Sequence, residues 1–244
     1  MPVVLRAPAK LTVSLKIVGV RADGYHLIEA EMVNLAHGDV LTFSDGDSLT
    51  VGGPAAAGVP TDERNLVHRA LALVGRTASV HIDKRIRAGG GLGGGSSDAA
   101  AVLRWAGCDD VELAARLGAD VPFCLAGGGH ARVSGIGERV LPLPFEARGY
   151  TLITPPFGVS TVAVFQAWDE LGGPITDGPN DLEPAALRAE PRLASWRDRI
   201  EDATGQRPVL AGSGSTWFVD GAHDDLADEL VPAAVVVTRT DRPS

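Results

Sequence analysis

A run of glycine and serine from residue 87 to residue 97 is the clearest chemical signal in the sequence. It reads RAGGGLGGGSS and passes directly into helix-forming residues. Glycine lets backbone N–H groups approach a ligand closely, and the first turn of a helix has unpaired N–H donors that favour phosphate. Ser96 and Ser97 can cap such a helix or bond a phosphate oxygen, and Lys84 and Arg85 make the approach basic. The run predicts a phosphate-binding loop; a plain glycine-rich turn is the alternative.

The spacing of these glycines decides between known types of phosphate loop. The G-x-x-x-x-G-K-[ST] pattern of the common P-loop is absent. Gly89, Gly91 and Gly94 match the dinucleotide pattern G-x-G-x-x-G, and Asp109 lies downstream. A run so rich in glycine matches that pattern by chance. The preceding SVHIDKRI alternates with charged residues, whereas a Rossmann fold begins with a buried apolar strand. We therefore discount a dinucleotide site.

The elements around the loop are predicted from hydrophobic periodicity. The alternation in KLTVSLKIV predicts a strand with Leu11, Val13, Leu15 and Ile17 on one face. ASVHIDKRI predicts a strand directly before the loop, and a helix is predicted after it, over residues 97–106. A short helix in DVELAARLG and a strand pair in HARVSGIGERVLPL follow. The loop is thus placed between a strand and a helix.

A second structural unit is predicted from about residue 148. YTLITPP and AAVVVT predict strands, and RPVLAGSGSTWFVDG predicts a strand, a glycine turn and a strand. TVAVFQAWDEL, RLASWRDRIEDAT and HDDLADEL predict helices. This order is typical of an antiparallel sheet covered by helices, so we predict an α+β fold with units at 1–147 and 148–244.

Bulk properties restrict the function classes. The chain has 244 residues, of which 45% are hydrophobic, as in an ordinary globular protein. The formal net charge of −9 argues against a nucleic-acid or membrane-surface partner, because both favour basic patches. No apolar run approaches the ~20 residues of a membrane span, and the start lacks the apolar core of a signal peptide. Two cysteines make no disulfide framework, so we expect a cytoplasmic protein.

The glycine loop and four further segments together resemble the GHMP kinase superfamily. The central motif of that superfamily is a phosphate loop similar to G-L-G-S-S-A-A, and this chain has GGGLGGGSSDAA. APAKLTVSLKIVGVRADGYHLIEAEM, LGADVPFCLAGGGHARVSGIGERVLPL, NDLE and LAGSGSTWFV occur in the order seen in the 4-diphosphocytidyl-2-C-methyl-D-erythritol kinase family. The resemblance runs from about Ala7 to Val219, and R-x-D-G-Y-H and L-G-A-D-V-P-F together are quite specific to that family.

The resemblance implies a two-domain GHMP kinase fold. An N-terminal α/β domain would hold ATP in the glycine loop, and a C-terminal ferredoxin-like domain would close the cleft. The implied reaction moves the γ-phosphoryl group of ATP to the 2-hydroxyl of a cytidine-diphosphate-linked methylerythritol in the non-mevalonate isoprenoid pathway. Mg²⁺ is expected with ATP, and no protein ligand to a metal is assigned. The implied partner is this small molecule, and the protein is expected to be a monomer or a homodimer.

The resemblance also implies a catalytic pair. Asp120 in LGADVPF matches the family's catalytic base, and Pro122 predicts a fixed turn after the preceding short helix. Lys10 in APAKL matches the charge partner of that base. Lys10 is one of only three lysines in a chain that otherwise uses arginine, and the two cations are not interchangeable. A turn aspartate and an exposed lysine beside a strand are the alternatives.

The remaining implied contacts belong to the two substrates. By resemblance, Tyr25 stacks on the cytosine, His26 hydrogen-bonds its edge, and Phe165 lies on the opposite side of the base. The GSG turn at 212–214 matches the third superfamily motif, near phosphates, and a simple hairpin turn is its alternative. The implied ATP contacts are Arg87, Ala88, Gly89, Gly90, Gly91, Leu92, Gly93, Gly94, Gly95, Ser96 and Ser97. The implied acceptor contacts are Thr12, Tyr25, His26, Thr161, Phe165, Gly212, Ser213 and Gly214.

Three departures from the family pattern keep other functions open. Thr12 stands where the family usually has Asn and loses the two-ended bonding of an amide. Arg87 stands where Pro is common, and the stretches 55–62 and 107–112 are shorter than usual. Another small-molecule GHMP kinase and a non-catalytic nucleotide-binding relative are therefore the alternative functions.

Overall fold

The first sheet is built on a long antiparallel hairpin. The computed structural model describes residues 1–126 and 129–242. The two hairpin strands, β1 and β2, pair over almost their whole lengths, and β4 and β5 pair with different halves of β2 on its other edge. All these pairs are antiparallel, and β3 pairs parallel with β4. The strands are β1 Val3–Val20, β2 His26–Ser44, β3 Ser48–Gly52, β4 Ser79–Asp83, β5 His130–Gly135 and β6 Arg139–Pro142.

The helices of this first unit carry the apolar core against the sheet. The helices are α1 Leu66–Leu73, α2 Gly94–Trp105, α3 Val111–Ala115 and α4 Val121–Ala126. The middle of α2, residues 99–103, is completely buried because it consists of small and aliphatic side chains that fit between the sheet and α1. The sequence predicted that this helix begins near residue 97, but it begins at Gly94. Gly93 precedes it in the left-handed conformation, with φ at 66°.

The second sheet has the predicted antiparallel form. Its strands are β7 Gly149–Thr154, β8 Val209–Leu210, β9 Trp217–Asp220 and β10 Ala234–Arg239, and its helices are α5 Thr161–Glu170, α6 Glu183–Ala189, α7 Arg192–Thr204 and α8 Leu226–Glu229. The strand order in the sheet is β10-β7-β9-β8, and along the chain helices connect β7 to β8 and β9 to β10. This is the arrangement of a ferredoxin-like unit. The α+β class is therefore confirmed. The predicted boundary between residues 147 and 148 falls between β6 and β7, and it stays a prediction.

A β-bulge in β1 overturns one prediction. The pairing with β2 is regular from Lys10 to Thr12, which lies opposite Met32, and resumes with Ser14 opposite Glu31, so that Val13 is an extra residue. Leu11 packs in the cluster between the two sheets, whereas Leu15 packs in the main core. Leu11, Val13, Leu15 and Ile17 therefore do not share one face, because an extra residue reverses the alternation of side chains.

The segment after Asp120 also differs from its prediction. Pro122 was expected to mark a turn, but α4 begins at Val121, and Pro122 lies in its first turn. Proline is tolerated there because the first N–H groups of a helix have no intrahelical acceptor. Asp120 consequently lies immediately before a helix, and its carbonyl accepts a hydrogen bond from the N–H of Cys124 at 3.1 Å. In the described part of the chain, no helix is both long and apolar enough to cross a membrane.

Candidate active site

Two adjoining cavities lie between the glycine-rich loop and the second unit. The larger has a volume of about 800 Å³ and the smaller about 360 Å³. The smaller cavity lies along the glycine-rich loop, and the larger is lined by residues of β1, β2 and α5. The residues that line both cavities are Lys10, Ser96, Asp120, Thr161 and Ser213. Ligands in the two cavities would therefore meet at these five side chains.

The predicted catalytic pair lies at that junction. Lys10 Nζ is 3.3 Å from Asp120 Oδ2 and donates a hydrogen bond to Thr12 Oγ1 at 3.0 Å. The Lys10 side chain is only 6% exposed, whereas that of Asp120 is 32% exposed. The ammonium is thus fixed within the protein, and the carboxylate is open to a ligand. Burial, and then the nearby Asp120 carboxylate, raise the pKa of Cys124 to about 12, so the thiol behind this pair stays protonated.

The glycine-rich loop is held against both units by its backbone. Leu92 O accepts from Lys10 N at 3.0 Å, which ties the loop to β1. Gly90 O accepts from Thr216 N at 3.1 Å, which ties it to the second unit. Residues 87–96 line the smaller cavity, as predicted for a nucleotide loop. Ser97 is the one predicted loop residue outside that lining: its hydroxyl is buried and donates to Pro8 O at 2.7 Å.

Most of the loop glycines are required by contacts within the protein. A Cβ added at Gly91 would lie 2.5 Å from Ala211 O and 2.8 Å from Gly214 Cα, where the loop crosses the GSG turn. At Gly93 it would lie 2.6 Å from Lys10 Cγ. Gly95 differs, because a Cβ there would meet Leu66 Cδ1 at an ordinary 3.6 Å. Sequence reasoning attributed the glycines to phosphate approach and missed this close packing.

The larger cavity contains the residues that the sequence assigned to a nucleobase. The His26 ring lies 4.7 Å from the Phe165 ring and 5.2 Å from the Trp168 ring, measured between centroids. Its Nε2–H donates to Asp169 Oδ1 at 2.8 Å, which leaves Nδ1 for a ligand. Tyr25 also lines the cavity, but the residue is 59% exposed, and the Arg21 guanidinium lies 5.8 Å from the centroid of its ring. Trp168 and Asp169 were not predicted, because a helical sequence does not show which residues face β2.

Two residues of the GSG turn line the larger cavity, and the third packs against the glycine-rich loop. Gly212 and Ser213 line the larger cavity, and the Ser213 and Thr161 hydroxyls are hydrogen-bonded at 2.9 Å. A Cβ at Gly212 would lie 3.4 Å from Thr12 Oγ1, so the turn approaches β1 directly. Gly214 instead packs against Gly91 and does not line either cavity.

A buried asparagine from the NDLE segment holds this turn in place. Asn180 is 2% exposed, and its amide nitrogen donates to Leu210 O at 2.9 Å and to Gly212 O at 2.8 Å. Its neighbours Pro179 and Asp181 hydrogen-bond the backbone of Leu15 in β1. The segment therefore links the strand of Lys10 to the turn of Ser213. The sequence showed the motif without indicating this role.

The fold, with its glycine-rich loop between a strand and a helix, is that of a GHMP kinase, a class of small-molecule kinases that use ATP. The GHMP kinases N terminal domain matches residues 65–128, which include the glycine-rich loop, α2 and Asp120. The chain is 39% identical to 4-diphosphocytidyl-2-C-methyl-D-erythritol kinase of Paracoccus denitrificans (strain Pd 1222), over 87% of this chain and 84% of that protein. It is 36% identical to the kinase of the same name from Ruegeria pomeroyi, over 94% of this chain and 92% of that protein.

A solved structure agrees with these relatives. The crystal structure of a 4-(cytidine 5'-diphospho)-2C-methyl-D-erythritol kinase superposes with a TM-score of 0.76 at 32% identity, covering 98% of this chain and 100% of that chain. The chain belongs to the 4-diphosphocytidyl-2-C-methyl-D-erythritol kinase family. The resemblance predicted from the sequence is thereby confirmed at the level of fold, family and class of reaction.

Proposed function

We propose that this protein transfers the γ-phosphoryl group of ATP to the 2-hydroxyl of 4-diphosphocytidyl-2-C-methyl-D-erythritol in the non-mevalonate route to isoprenoid precursors. The observation that carries the proposal is the meeting of two cavities at Lys10 and Asp120. Phosphoryl transfer needs a donor and an acceptor whose reacting oxygens are aligned across one phosphorus atom. Two cavities that share a charged pair provide that arrangement.

ATP is assigned to the smaller cavity. The N-terminus of the twelve-residue helix α2 faces the glycine-rich loop, and its unpaired N–H groups favour phosphate oxygens. Ser96 lines both cavities and offers a hydroxyl where the γ-phosphate would lie. Arg87, in place of the family's usual proline, adds a cation at the edge of this cavity.

The acceptor is assigned to the larger cavity. Phe165 and His26 form an apolar and hydrogen-bonding pair suited to a pyrimidine, and Tyr25 is exposed at the rim for stacking. Thr12, Thr161 and Ser213 place hydroxyl groups between this end and Asp120, where the diphosphate and the methylerythritol chain would lie. Thr12 accepts from Lys10, so its role here is to orient the ammonium as well as to contact the substrate.

The chemistry follows from the charged pair. A tertiary alcohol is a weak nucleophile, so the site must remove its proton while the bond to phosphorus forms and the bond to ADP breaks. We assign Asp120 as the base that accepts the hydroxyl proton, because its carboxylate is accessible from both cavities. Lys10 stabilises that carboxylate and the charge that develops on the transferred group.

Mg²⁺ fits this junction if the nucleotide supplies most of its ligands. Among the described residues, no group of three histidine, cysteine, aspartate or glutamate side chains could hold a metal ion. Mg²⁺ commonly keeps several waters and binds one or two carboxylates together with substrate phosphates. Ser96, which lines both cavities, is the protein oxygen donor that would hold it here beside the phosphates, and Asp120 stays free to accept a proton. When bound, the ion neutralises charge on the phosphates.

Substitution of the charged pair tests the proposal. Asp120→Asn keeps the shape but cannot accept a proton, so kcat for phosphoryl transfer should fall by about two to four decades. Lys10→Ala should fall comparably, and the double variant should lose far less than the product of both losses, because the two groups act as a unit. Asp109→Asn, an exposed carboxylate outside both cavities, is the matched control and should keep wild-type kcat.

The measurement is transfer of labelled phosphate from ATP to the cytidyl substrate, with ATP affinity determined separately by calorimetry. ATP affinity should change little in Asp120→Asn. Wild-type turnover in Asp120→Asn at neutral pH would refute the assignment of the base and favour transfer by positioning alone. ATP binding by the native protein without any turnover of the cytidyl substrate would instead support a non-catalytic relative.

Two free cysteines are consistent with the reducing cytoplasm that we propose as the location of the protein.

A further inference from the structure

A buried ion cluster lies beneath the glycine-rich loop, apart from the catalytic pair. Lys84 Nζ donates to Asp39 Oδ2 at 2.6 Å and to Asp98 Oδ2 at 2.5 Å. All three side chains are at most 4% exposed. We refer to Lys84, Asp39 and Asp98 as the lysine cluster. None of these residues was assigned a role by the sequence, beyond the basic approach that Lys84 gives to the loop.

The lysine cluster ties both ends of the loop to the sheet. At the start of the loop, Asp39 Oδ1, on β2, accepts from the backbone N–H of Arg85 at 2.6 Å and of Ile86 at 2.8 Å. At its end, Asp98 lies in the second turn of α2, so the bond from Lys84 reaches the helix whose N-terminus faces the phosphates. One ammonium group thus links the start of the loop to the helix at its end.

The cluster also touches the loop itself. A Cβ added at Gly94 would lie 3.0 Å from Lys84 Nζ, and both Lys84 and Asp98 line the smaller cavity. Within the described residues, Asp98 Oδ1 is buried without a hydrogen-bond partner. Burial raises the pKa of Asp98 to about 7, and Lys84 opposes this rise. Burial lowers the pKa of Lys84, but Asp98 and Asp39 outweigh it, so the ammonium stays charged.

Stability alone is a poor explanation for such a cluster. Burying three ionisable groups costs desolvation energy that their attraction only partly offsets, and apolar replacements of similar volume are often equally stable. What an apolar replacement could not supply is a directional link from one ammonium to two separate elements. We propose that Lys84, through Asp39 and Asp98, is a positioning residue that preforms the glycine-rich loop for the phosphates of ATP. This inference rests on the proposed nucleotide site.

Two variants cut the link in different ways. Asp98→Ala removes the acceptor on α2. The triple variant Lys84→Met with Asp39→Asn and Asp98→Asn removes all three charges and nearly keeps the volume. The amide oxygen at position 39 can still accept from the two backbone donors, so this variant is expected to fold. In both, the loop should populate its binding-competent form less. The dissociation constant for ATP should then rise by about tenfold, the population shift that corresponds to losing a hydrogen bond to a charged group. Asp98→Asn alone still accepts from Lys84 and should stay within about threefold of wild type.

The control is the exposed ion pair beside the loop start. Asp83→Ala removes the acceptor of Arg85 at 2.7 Å on the protein surface, and exposed pairs contribute little, so ATP affinity should not change. Calorimetry with ATP and, separately, with the cytidyl substrate makes the comparison. A positioning role predicts weaker ATP binding with unchanged acceptor binding, and faster amide hydrogen exchange over residues 88–95 without nucleotide.

The outcomes separate this inference from the site on which it rests. ATP affinity within about twofold of wild type in both link-cutting variants would overturn the positioning role, because a lost charged hydrogen bond exceeds that effect. Equal loss of affinity for ATP and for the acceptor would overturn it as well, since it would indicate general disorder. If ATP gives the wild-type loop no protection from hydrogen exchange, the nucleotide site itself is wrong, and the inference fails with it.

Discussion

A methyl group added at Gly93 should disable phosphoryl transfer by displacing Lys10. Gly93 has φ at +66°, and a Cβ built there lies 2.6 Å from Lys10 Cγ and 3.1 Å from Lys10 Cε. The lysine cannot simply swing away, because its side chain is buried and its backbone N–H is bonded to Leu92 O at 3.0 Å. The substitution therefore acts on the ammonium through its stem and leaves Asp120 untouched.

The size of the effect follows from these distances. Ordinary contact begins at 3.4 Å and the Cβ would lie at 2.6 Å, so the lysine stem must shift by the difference of about 0.8 Å. A misplacement of about 1 Å at a reacting centre can cost roughly 10²-fold in rate, so kcat for Gly93→Ala should fall by about ten- to a hundredfold. A non-glycine residue at this left-handed position also costs roughly 1–2 kcal/mol of stability.

The assay compares kcat of Gly93→Ala with that of Gly95→Ala at a temperature where both are folded. A Cβ at Gly95 meets Leu66 Cδ1 at 3.6 Å, and Gly95 lies inside α2, where alanine is favoured over glycine. Because Gly95 also lines the cavity assigned to ATP, the comparison is made at saturating ATP, where Gly95→Ala should keep wild-type kcat and gain slightly in stability. Wild-type kcat in Gly93→Ala, or equal losses in both variants, would refute the reasoning that the loop supports Lys10.

Three further outcomes are expected. Asp98→Asn should become more stable relative to wild type as pH rises from about 4 to about 7. Burial raises the folded-state pKa of Asp98 to about 7 from its ordinary 3.8, so the stability it contributes in its protonated form is lost over that range. Denaturant titrations across pH check this, and parallel pH curves for the two proteins would contradict it. Iodoacetamide should label Cys108 before Cys124 in the native protein, because burial raises the pKa of the Cys124 thiol to about 12. Equal labelling rates by mass spectrometry would count against that. Tyr25→Ala should raise KM for the cytidyl substrate, because it removes a base–aromatic stack worth roughly 1–3 kcal/mol, and should leave KM for ATP unchanged. An unaltered KM for the cytidyl substrate in steady-state kinetics would exclude stacking.

The sequence predicted those elements whose periodicity reflects one buried face. Helix α7 has the predicted bounds, from Arg192 to Thr204, because Leu193, Trp196 and Ile200 recur at helical spacing and all three are buried. The order of strands and helices in the second unit followed from similar patterns, except that the short helix α6, Glu183–Ala189, was not predicted. Local periodicity is sufficient where each element packs one stripe of side chains against the core.

Periodicity was insufficient where the backbone is irregular. The bulge at Val13 leaves no mark in the alternation of KLTVSLKIV, yet it reverses the faces of the residues that follow it, from Ser14 to the next irregularity after Ile17. As a result Thr12 and Leu15 can both line the larger cavity although they are three residues apart. Strand alternation alone would have placed one of them on the opposite face.

Buried polar groups were the second kind of omission. Asn180 and Lys84 are polar residues that a single sequence places on the surface by default. Each is buried because it satisfies partners from elements that are distant in the chain: Asn180 bonds Leu210 O and Gly212 O, and Lys84 bonds Asp39 and Asp98. Such roles depend on tertiary neighbours, which neither composition nor spacing reveals.

The glycine run shows why even the strongest signal in the sequence was only half understood. Glycine was expected there because a phosphate needs bare backbone, but Gly91 is also required where the loop crosses Gly214, and Gly93 where it crosses Lys10. Both requirements select the same residue, so the sequence cannot separate them. The overlap has a structural consequence: the backbone that would hold the donor phosphates packs directly against Lys10 and the GSG turn. The proposed ATP loop and the Lys10–Asp120 pair therefore meet at the contact between Gly93 and Lys10. Such a contact suits a reaction that depends on aligning two oxygens across one phosphorus atom.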